Sequence, residues 1–577
     1  MKWTPRTWKS YVKTIEWNRS QQLVLFEALN NNENLLIEAC AGSGKTTLLT
    51  GIVAQLPASK TTEKGKKEYK VLFCTFNKHN IEELNNSGKL PKRVQARTAH
   101  QVAKGLLTSY LKGKNPEYSL TVDTNDEICR KICQTTATEF NGLYEEYEKD
   151  KKYEYAEIIY KYPVQKITEL EKPLMAKYLF NLTVIYRQNL FLISEEEIEY
   201  HSHKYGIFPE ELVLNQGHYT AVTIFLKSIL NHLEYKFKYE QICNFDTMLW
   251  LIYQLEIQPF YKDLLIIDEA QDCNPSQQAL YEKYTSKGTR IIGVGDPSQS
   301  IWGFLGSNAE AWATFKSKFE AKCMTLEETY RCSKVVTELA NHFKPITARK
   351  ENPEGIVKVI AAEQIKDYLG EDNLILCRFN APLIKWSLLL IEKKISNQIK
   401  GIETGEKIIN YIRIFSQDNN FNYEQCYQQT LAKLRKLKED NQIQEREQLK
   451  DIYLAVHYCY RTLYKDAMSL SKWIENIYKL FDTQDENRTV RLSTIHRSKG
   501  DESENVFLLG SNQLPHNSTE EENNLVYVAI TRSKCNLYLI PTLEQDYSKS
   551  DPHNLQQPLG GLQLPEKQLR QEIVLTV

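Results

Sequence analysis

The sequence predicts a mixed α/β protein with two regions of alternating strands and helices, each interrupted by a helical insert. Short apolar runs that suit buried parallel strands end in polar or glycine-rich turns at residues 35–47, 264–272 and 290–304. The same alternation starts again at Thr329 and resumes at Val490 after a charged stretch. At 577 residues the chain exceeds what one hydrophobic core usually serves, so several domains are expected.

The bulk composition is that of an ordinary soluble globular protein, with 41% hydrophobic and 25% charged residues. Lysine and arginine number 73 against 74 aspartate and glutamate, so a nucleic-acid surface would depend on local charge clusters or aromatic stacking. No run approaches the roughly 20 apolar residues of a membrane span, and residues 1–17 lack the apolar core of a secretory signal. The 12 cysteines form no Cys-x-x-Cys pair, which favours a reduced cytoplasmic or nuclear protein.

The domain organisation follows from where the strand-and-turn rhythm is lost and regained. Residues 1–105 and 243–325 are expected to form the first α/β domain, with residues 106–242 as a helical insert rich in Tyr, Glu and Lys. The second α/β domain is expected at residues 326–415 and 487–550, with a short helical insert at 416–486 and a flexible tail at 551–577.

The first apolar run, residues 35–39, leads into a glycine-rich turn and a helix opened by Lys45, a pattern typical of a phosphate-binding loop. Glycine lets the backbone approach an anion, and the amides at the helix start point toward it. Lys45 is expected to reach the β- and γ-phosphates of a nucleotide, and the Thr46 hydroxyl to hold Mg²⁺. Ala39 stands where the usual pattern has glycine, so an ordinary turn is the alternative, but the flanking strand and helix favour the loop. The predicted loop consists of Ala39, Cys40, Ala41, Gly42, Ser43, Gly44, Lys45, Thr46 and Thr47.

A second apolar run, residues 264–267, delivers Asp268 and Glu269 at the carboxyl end of a strand. One carboxylate there can hold Mg²⁺ on bound phosphates, and its neighbour can orient and deprotonate a water for in-line attack. We assign the metal role to Asp268 and the base role to Glu269. An acidic turn after a buried strand is the alternative, which the phosphate loop upstream disfavours. Gln299, after the next apolar run, can sense the γ-phosphate.

An aromatic residue beside small polar groups follows the predicted strand at 71–75, which itself comes after a basic loop at residues 64–67. Phe76 and Asn77, at the carboxyl end of that strand, suit a surface that meets bases and phosphates. A second turn signal of this kind lies at residues 98–100.

Trp302 and Phe304 are separated by one glycine after the strand predicted at 290–294. Aromatics on such a loop stack on single-stranded bases, at about 1–3 kcal/mol per base. Packing in the core is an equal alternative on this segment alone. Gln21, one element before the phosphate loop, can read an adenine edge through its paired donor and acceptor, although a solvated helix residue is the commoner reading.

The order of these motifs resembles that of the superfamily 1 DNA helicases of the UvrD, PcrA and Rep kind. Six motifs of that family occur in family order, at residues 39–46, 268–272, 295–303, 329–331, 494–500 and 520–532. The segments at 75–78 and 268–275 look closer to the F-box DNA helicase branch, although no F-box is evident.

This resemblance implies two RecA-like P-loop motor domains with ATP and Mg²⁺ in the cleft between them. Gln21 and Tyr330 would hold the adenine, Glu502 would meet the ribose, and Gln271 would join the catalytic set. Arg331 and Arg532 would act as arginine fingers on the γ-phosphate. Single-stranded DNA would touch Phe76, Asn77, Thr98, His100, Trp302, Phe304, Arg378, Asn380, Thr494 and His496.

The sequence departs from the family pattern at several positions. Leu305 stands where family members usually carry arginine, Asp501 replaces a leucine, and the second insert is much shorter. No nuclease cysteine cluster follows the last motif.

The resemblance implies an ATP hydrolase and DNA helicase, formally an isomerase of DNA strands, that moves 3′ to 5′ on single-stranded or 3′-tailed duplex DNA. A translocase that strips proteins without unwinding, which the short second insert suggests, is one alternative. A nucleotide-gated binding module is another, although the complete hydrolytic set argues against it. Aromatic side chains stack on bases attached to ribose or to deoxyribose, so these residues do not indicate whether the substrate is DNA or RNA.

Overall fold

A computed structural model of the chain supplies the architecture. It describes residues 15–62, 65–75, 78–86, 90–91, 94–149, 167–169, 171–205, 207, 216–301, 310–417, 420–439, 443–465, 468–481, 490–514 and 519–541. Over these residues the chain forms two compact units, the first comprising residues 15–39 and 45–326 and the second residues 40–44 and 327–541. Each unit is built on a six-stranded sheet.

The strands of the first unit, over its described residues, are short and mostly apolar. They are β1 (Leu35–Ala39), β2 (Ser59–Thr62), β3 (Gly65–Glu68), β4 (Val71–Cys74), β5 (Ala96–Arg97), β6 (Thr121–Asp123), β7 (Ile242–Asn244), β8 (Leu264–Asp268), β9 (Arg290–Gly295) and β10 (Lys322–Leu326). The main sheet has the order β10-β1-β9-β8-β4-β5, and every pair in it is parallel. All five residues of β8 are buried, because a parallel sheet covered on both faces needs continuous apolar strands.

The helices of the first unit cover that sheet and build the predicted helical insert. They are α1 (Arg19–Asn30), α2 (Lys45–Gln55), α3 (Lys78–Asn86), α4 (Ala99–Lys114), α5 (Glu127–Lys149), α6 (Lys172–Asn189), α7 (Glu195–Lys204), α8 (Gln216–Glu240), α9 (Phe245–Gln254), α10 (Pro275–Thr285) and α11 (Glu310–Lys318). Several begin where the sequence offers a cap. Asn18, Thr98 and Asn274 each start a capping box with a glutamine three residues later.

The sequence predicts a basic loop at residues 64–67; for residues 65–67 this is wrong, and Lys64 lies outside the described residues. Over the described residues, β2 and β3 form an antiparallel hairpin that pairs Ser59 with Glu68 and Thr62 with Gly65. Every residue of β3 is exposed, so no apolar alternation marks the strand in the sequence.

The strands of the second unit build another parallel sheet. They are β11 (Glu328–Thr329), β12 (Thr347–Ala348), β13 (Ile356–Val359), β14 (Asn373–Cys377), β15 (Asn397–Ile399), β16 (Ser416–Gln417), β17 (Asn420–Phe421), β18 (Val490–Thr494), β19 (Ser503–Leu509) and β20 (Ser533–Ile540). The sheet order is β13-β20-β19-β14-β18-β15, with all pairs parallel. The central strand β14 is buried at all five positions.

The helices of the second unit flank its sheet and form the short insert. They are α12 (Lys334–Ala340), α13 (Asn380–Glu392), α14 (Ile402–Ile414), α15 (Tyr423–Glu439), α16 (Ile443–Leu463), α17 (Leu470–Lys479) and α18 (Glu520–Ile530). The predicted α/β class with two parallel sheets and helical inserts is confirmed. The exact domain boundaries stay predictions. No helix in the described part of the chain has the length and apolar character needed to cross a membrane.

Candidate functional site

The predicted phosphate loop follows the buried strand β1 and ends where α2 begins at Lys45. Gly42 and Gly44 have φ angles of +72° and +78°, a backbone region that side chains with a Cβ rarely adopt. Ala39, at the first position of the pattern, is fully buried. The sequence therefore places glycine at the two positions where the loop turns through the left-handed region.

Thr46, in the first turn of α2, donates a hydrogen bond from its hydroxyl to Asp268 Oδ2 at 3.1 Å. Burial, together with the neighbouring Glu269, raises the pKa of Asp268 to about 7, while the charge of Lys45 acts in the opposite direction. The buried carboxylate of Asp268 and the hydroxyl of Thr46 are both oxygen ligands. Together they suit a divalent cation on a bound phosphate. Among the described residues, no group of three or more His, Cys, Asp or Glu side chains is arranged to hold a metal by itself.

Glu269, directly after β8, has a positive φ of +57°, which is uncommon for a residue with a Cβ. Its Oε2 accepts a hydrogen bond from Gln271 Nε2 at 2.7 Å. Gln271 is buried, and its Oε1 accepts a second hydrogen bond from the amide of Asp296 at 3.0 Å. Gln271 therefore joins the predicted base to the turn that follows β9.

The turn after β9 is fixed closely around this glutamine. A Cβ on Gly295 would clash with Gln271 Oε1 and lie 2.7 Å from a ring carbon of Trp312. Gln299, the predicted phosphate sensor, donates from Nε2 to Asp296 Oδ2 at 2.6 Å. Sequence reasoning missed Asp296 as the link between the two glutamines.

In the second unit, the predicted arginine fingers lie in one charged cluster. Arg331 Nε is 2.7 Å from Glu502 Oε2, an ion pair by distance without the alignment of a hydrogen bond, and Arg331 Nη1 donates to Thr531 O at 3.3 Å. Lys534 Nζ lies 3.1 Å from the other carboxylate oxygen of Glu502. These cations lower the pKa of Glu502 against the opposing effect of its burial.

Arg532 is fully buried rather than presented at a surface. Its Nε donates to Val528 O at 3.0 Å and its Nη1 to Asp501 O at 3.1 Å. Burial and the nearby Arg331 lower its pKa to about 10, so its guanidinium stays charged at neutral pH.

Loop residues 40–44 group with the second unit and contact it directly. The amide of Ala41 donates to Tyr527 Oη at 3.1 Å, and the amide of Tyr330 donates to Gly42 O at 2.8 Å. The guanidinium of Arg349 lies 4.4 Å from the ring centre of Tyr330, the residue predicted to stack on adenine. Tyr527 lies within the motif at residues 520–532, but the sequence assigned it no role, and Arg349 was missed. Nothing in the local sequence pattern pairs Tyr527 with Ala41 or Arg349 with Tyr330.

Gln21, the other predicted adenine contact, is buried near the start of α1. Its Oε1 accepts a hydrogen bond from the amide of Asn18 at 3.2 Å, as the second half of a capping box. Its amide group is therefore held in a fixed orientation by the cap.

The predicted DNA contacts of the first unit are described only in part, since Phe76, Asn77, Trp302 and Phe304 lie outside the described residues. Thr98 caps α4, and its hydroxyl accepts from the amide of Gln101 at 3.1 Å. The ring of His100 packs edge-on against Phe245, with 5.8 Å between the ring centres. Phe245 is 37% exposed, and sequence reasoning missed it because it opens an otherwise apolar helix.

The predicted DNA contacts of the second unit already have protein partners. Arg378 donates twice to Glu522 Oε1, at 2.9 and 3.1 Å. Asn380 donates its side-chain amide to Asp451 Oδ2 at 2.9 Å. The Thr494 hydroxyl is 3.4 Å from the amide of Arg497.

His496 is the other predicted DNA contact of this unit. Burial and the charge of Arg378 lower its pKa to about 3, so the imidazole is neutral at physiological pH. A neutral ring can stack or hydrogen-bond but does not contribute charge to phosphate binding.

A parallel sheet whose first strand leads into a glycine-rich turn, with an acidic pair at the end of a strand two places away in the same sheet, defines a P-loop nucleotide-binding fold. The UvrD/REP helicase N-terminal domain model matches residues 17–320, and the UvrD-like helicase C-terminal domain model matches residues 489–540. The chain belongs to the UvrD/REP helicase family.

Curated relatives agree with this assignment at low identity. A probable DNA helicase II homolog of Mycoplasma capricolum is 23% identical over 91% of this chain and 84% of its own length. The ATP-dependent DNA helicase PcrA of Staphylococcus aureus is 23% identical over 68% of this chain, and F-box DNA helicase protein 1 of Schizosaccharomyces pombe is 24% identical over 92%. The match spans 53% and 58% of the lengths of these last two proteins.

Proposed function

We propose that this protein is an ATP-dependent DNA motor that moves 3′ to 5′ along single-stranded DNA and separates the strands of 3′-tailed duplexes. The observation that carries the proposal is the hydrogen-bonded set at the carboxyl edge of the first sheet. Thr46 meets Asp268 there, and Glu269 is held by Gln271. The names of the relatives, all DNA helicases, support DNA as the substrate. Such a protein would work in the cytoplasm, or in a nucleus.

The phosphate loop and residues of the first unit would bind and hydrolyse the nucleotide. Lys45 and the amides of loop residues 40–44 would bind the phosphates, and Thr46 and Asp268 would hold Mg²⁺, which neutralises charge on the β- and γ-phosphates when bound. Glu269 orients a water and takes its proton, because a carboxylate next to the phosphates is the available base. Gln271 fixes the direction of that carboxylate.

The residues of the second unit would respond to the nucleotide. Arg331 and Arg532 would stabilise the charge that develops on the transferred phosphoryl group, an effect worth about 10³–10⁵ in rate in related chemistry. Arg331 must leave Glu502 to do so. Tyr330 would stack on the adenine, and Glu502, once released, would accept from the ribose.

DNA would bind through stacking and polar contacts at the strand ends. In the first unit these are His100 with Phe245 beside it and Thr98, and in the second unit Asn380, Thr494 and His496. Arg378 would reach a phosphate only by exchanging its partner Glu522, so its contact with DNA depends on that ion pair opening.

The direct test is ATP turnover with and without single-stranded DNA in Glu269→Gln. The variant keeps the shape of the side chain but removes the base, so DNA-stimulated turnover should collapse. Glu282→Gln is the matched control, because Glu282 lies on α10 in a half-exposed ion pair with Lys318 at 2.7 Å. Undiminished turnover in Glu269→Gln would contradict the assignment.

A translocase that strips proteins from DNA without unwinding is the second candidate. It is favoured by the short insert of the second unit, which over its described residues contains only α15, α16 and α17 beyond the small β16–β17 pair. Strand displacement on a 3′-tailed duplex separates the two, since robust unwinding by the isolated chain eliminates the translocase. Steady multiple-turnover hydrolysis that tracks strand length would exclude a nucleotide-gated binding module.

A further inference from the structure

The hairpin β2–β3 and the short connection to β4 carry lysines that the proposed motor function does not use. Residues 59–70 include five lysines against two glutamates. Lys66 and Lys67 on β3 are exposed, and so is Lys70, the residue directly before β4. None of these three side chains has an ion-pair partner among the described residues.

One carboxylate fixes the hairpin to the sheet. Asp263 Oδ1 forms an ion pair with Lys60 and accepts from the hydroxyl of Tyr261 at 3.1 Å. Asp263 Oδ2 accepts from the amide of Lys70 at 2.8 Å. The Asp263 carboxylate is therefore engaged by the Lys60 side chain, the Tyr261 hydroxyl and the Lys70 amide, and no ion pair joins it to another lysine among the described residues.

Lys262, next to Asp263, is a half-buried lysine without an ion-pair partner in the described part of the chain. Burial lowers its pKa, and the nearby charges of Lys70 and Arg97 lower it further, while Glu68 and Cys74 act weakly in the opposite direction. A desolvated cation beside two like charges is unfavourable unless an anion is bound there. Positive charge therefore exceeds negative charge in this cluster, although Glu68 lies close enough to act on Lys262.

The register of the main sheet relates three of these cations in a row, Lys262, Lys70 and Arg97. The amide of Asp263 donates to Lys70 O at 2.8 Å, so Asp263 lies opposite Lys70 and Lys262 is the residue directly before that position. Arg97 is opposite Cys74, four residues further along β4, or about 13 Å at the usual rise of a strand. Arg97 also directly precedes Thr98, a proposed DNA contact. Positive charge therefore continues from Thr98 along this edge to the hairpin.

We propose that these cations, named here the basic edge, bind the phosphates of a single DNA strand where it continues beyond Thr98 and His100. The basic edge consists of Lys66, Lys67, Lys70, Arg97 and Lys262. This inference rests on the proposed function and extends its DNA surface. Nucleic acid is favoured over an acidic peptide because the row continues a proposed DNA path and because the rings of Phe260 and Tyr261, 65% and 42% exposed, lie next to it for stacking.

The test measures binding of two fluorescent oligothymidylates across a range of salt concentrations. One is the shortest oligonucleotide that fully stimulates ATP turnover by the wild-type chain, and the other is about 15 nucleotides longer. The variant Lys70→Ala/Lys262→Met removes two charges of the basic edge. The matched control, Lys236→Ala/Lys238→Ala, removes two charges from α8, where Lys236 is paired with Glu240 at 2.7 Å and Lys238 with Glu234.

Each phosphate contact to a single strand contributes about 0.7 to the slope of log affinity against log salt concentration. On the longer oligonucleotide the variant should lose about 1.4 of this slope, so that between about 50 and 200 mM salt the wild type loses about sevenfold more affinity than the variant. The short oligonucleotide should show equal slopes for both. The control should match the wild type on both lengths.

Equal slopes for variant and wild type on the longer strand would overturn the basic edge. An equal loss in the control would do the same, because it would show an effect of net charge alone. Polyglutamate that binds the wild type more tightly than the oligonucleotide at the same salt would assign the surface to an acidic protein instead. If Lys262→Met prevents folding, the exposed pair Lys66→Ala/Lys67→Ala gives the same readout. The salt slopes measure DNA binding and not the motor function. The motor function itself would be refuted if DNA failed to stimulate ATP turnover by the wild-type chain.

Discussion

The hydrogen bond between Gln271 and Glu269 gives a quantitative prediction about turnover. Gln271 does not approach the nucleotide in the proposed role; it acts by holding Glu269 Oε2 at 2.7 Å and the amide of Asp296 at 3.0 Å. The substitution Gln271→Met keeps a side chain of similar length but removes both hydrogen-bonding groups. The base is then free to rotate away from the attacking water.

The expected size follows from the kind of bond that is lost. A hydrogen bond to a charged group contributes about 1.5–3 kcal/mol, and each 1.4 kcal/mol of lost transition-state stabilisation is about tenfold in rate. The kcat of DNA-stimulated ATP hydrolysis should therefore fall about ten- to hundredfold, while KM for ATP changes little. The buried amide of Asp296 also loses its acceptor, which costs about 1–3 kcal/mol of stability.

The assay is steady-state ATP hydrolysis with saturating single-stranded DNA, together with thermal unfolding of the same samples. Gln278→Met is the matched control, because Gln278 is also buried and donates from its Nε2 to Cys273 O at 3.1 Å and Ala311 O at 3.2 Å. Gln278→Met should lower the unfolding midpoint by a few degrees, as Gln271→Met does. Its kcat should stay within about twofold of the wild-type value. The two variants therefore separate loss of stability from loss of positioning.

Two results would refute this reasoning. Wild-type kcat in Gln271→Met would show that Glu269 needs no orienting partner or is not the base. A loss of kcat in Gln278→Met as large as in Gln271→Met would show that the effect comes from weakened packing in this part of the first unit.

Three further predictions concern both units. Asp451 accepts from the first two amides of α13, at 3.0 and 2.7 Å, so Asp451→Asn should lower the free energy of unfolding by about 1 kcal/mol in urea titrations, and an unchanged midpoint would contradict its role as a cap. The folded pKa of His496 is about 3, far below its ordinary value, so the unfolded chain binds a proton first as the pH falls. Stability from this group should be complete above about pH 6.5 and be lost toward pH 3, and His496→Gln should flatten that loss in acid unfolding; identical pH profiles would disprove it. Gly295→Ala should displace Gln271 and lower both the thermal midpoint and DNA-stimulated turnover, whereas wild-type values for both would show that the turn relaxes freely.

The strands of both sheets could be predicted because parallel strands covered on two faces must be apolar throughout. Residues 264–267 and 373–377 show this pattern, and both runs form central, fully buried strands. The hairpin β2–β3 could not be predicted in the same way. Its second strand is exposed at every residue, so the hydrophobic period that identifies a half-buried strand is missing.

The residues of the candidate site could be selected from sequence, but their partners could not. Arg378 and Glu522 are 144 positions apart, and Asn380 and Asp451 are 71 apart. Such pairs form only because the fold brings the elements together, and no local pattern specifies them. The roles assigned to Arg378 and Asn380 on DNA stay predictions, and each now requires the exchange of a protein partner.

The order of the strands explains why residues far apart in sequence meet at the first unit's site. β9 lies between β1 and β8, so the carboxyl ends of these three parallel strands reach the same edge of the sheet. The turn after β9 is therefore next to the acidic pair after β8, and the Gln271–Asp296 hydrogen bond joins the two turns directly. A shift of the β9 turn must consequently move the carboxylate of Glu269 or break this bond. The strand order thus gives the first unit a short physical connection between its predicted phosphate sensor, Gln299, and its predicted base.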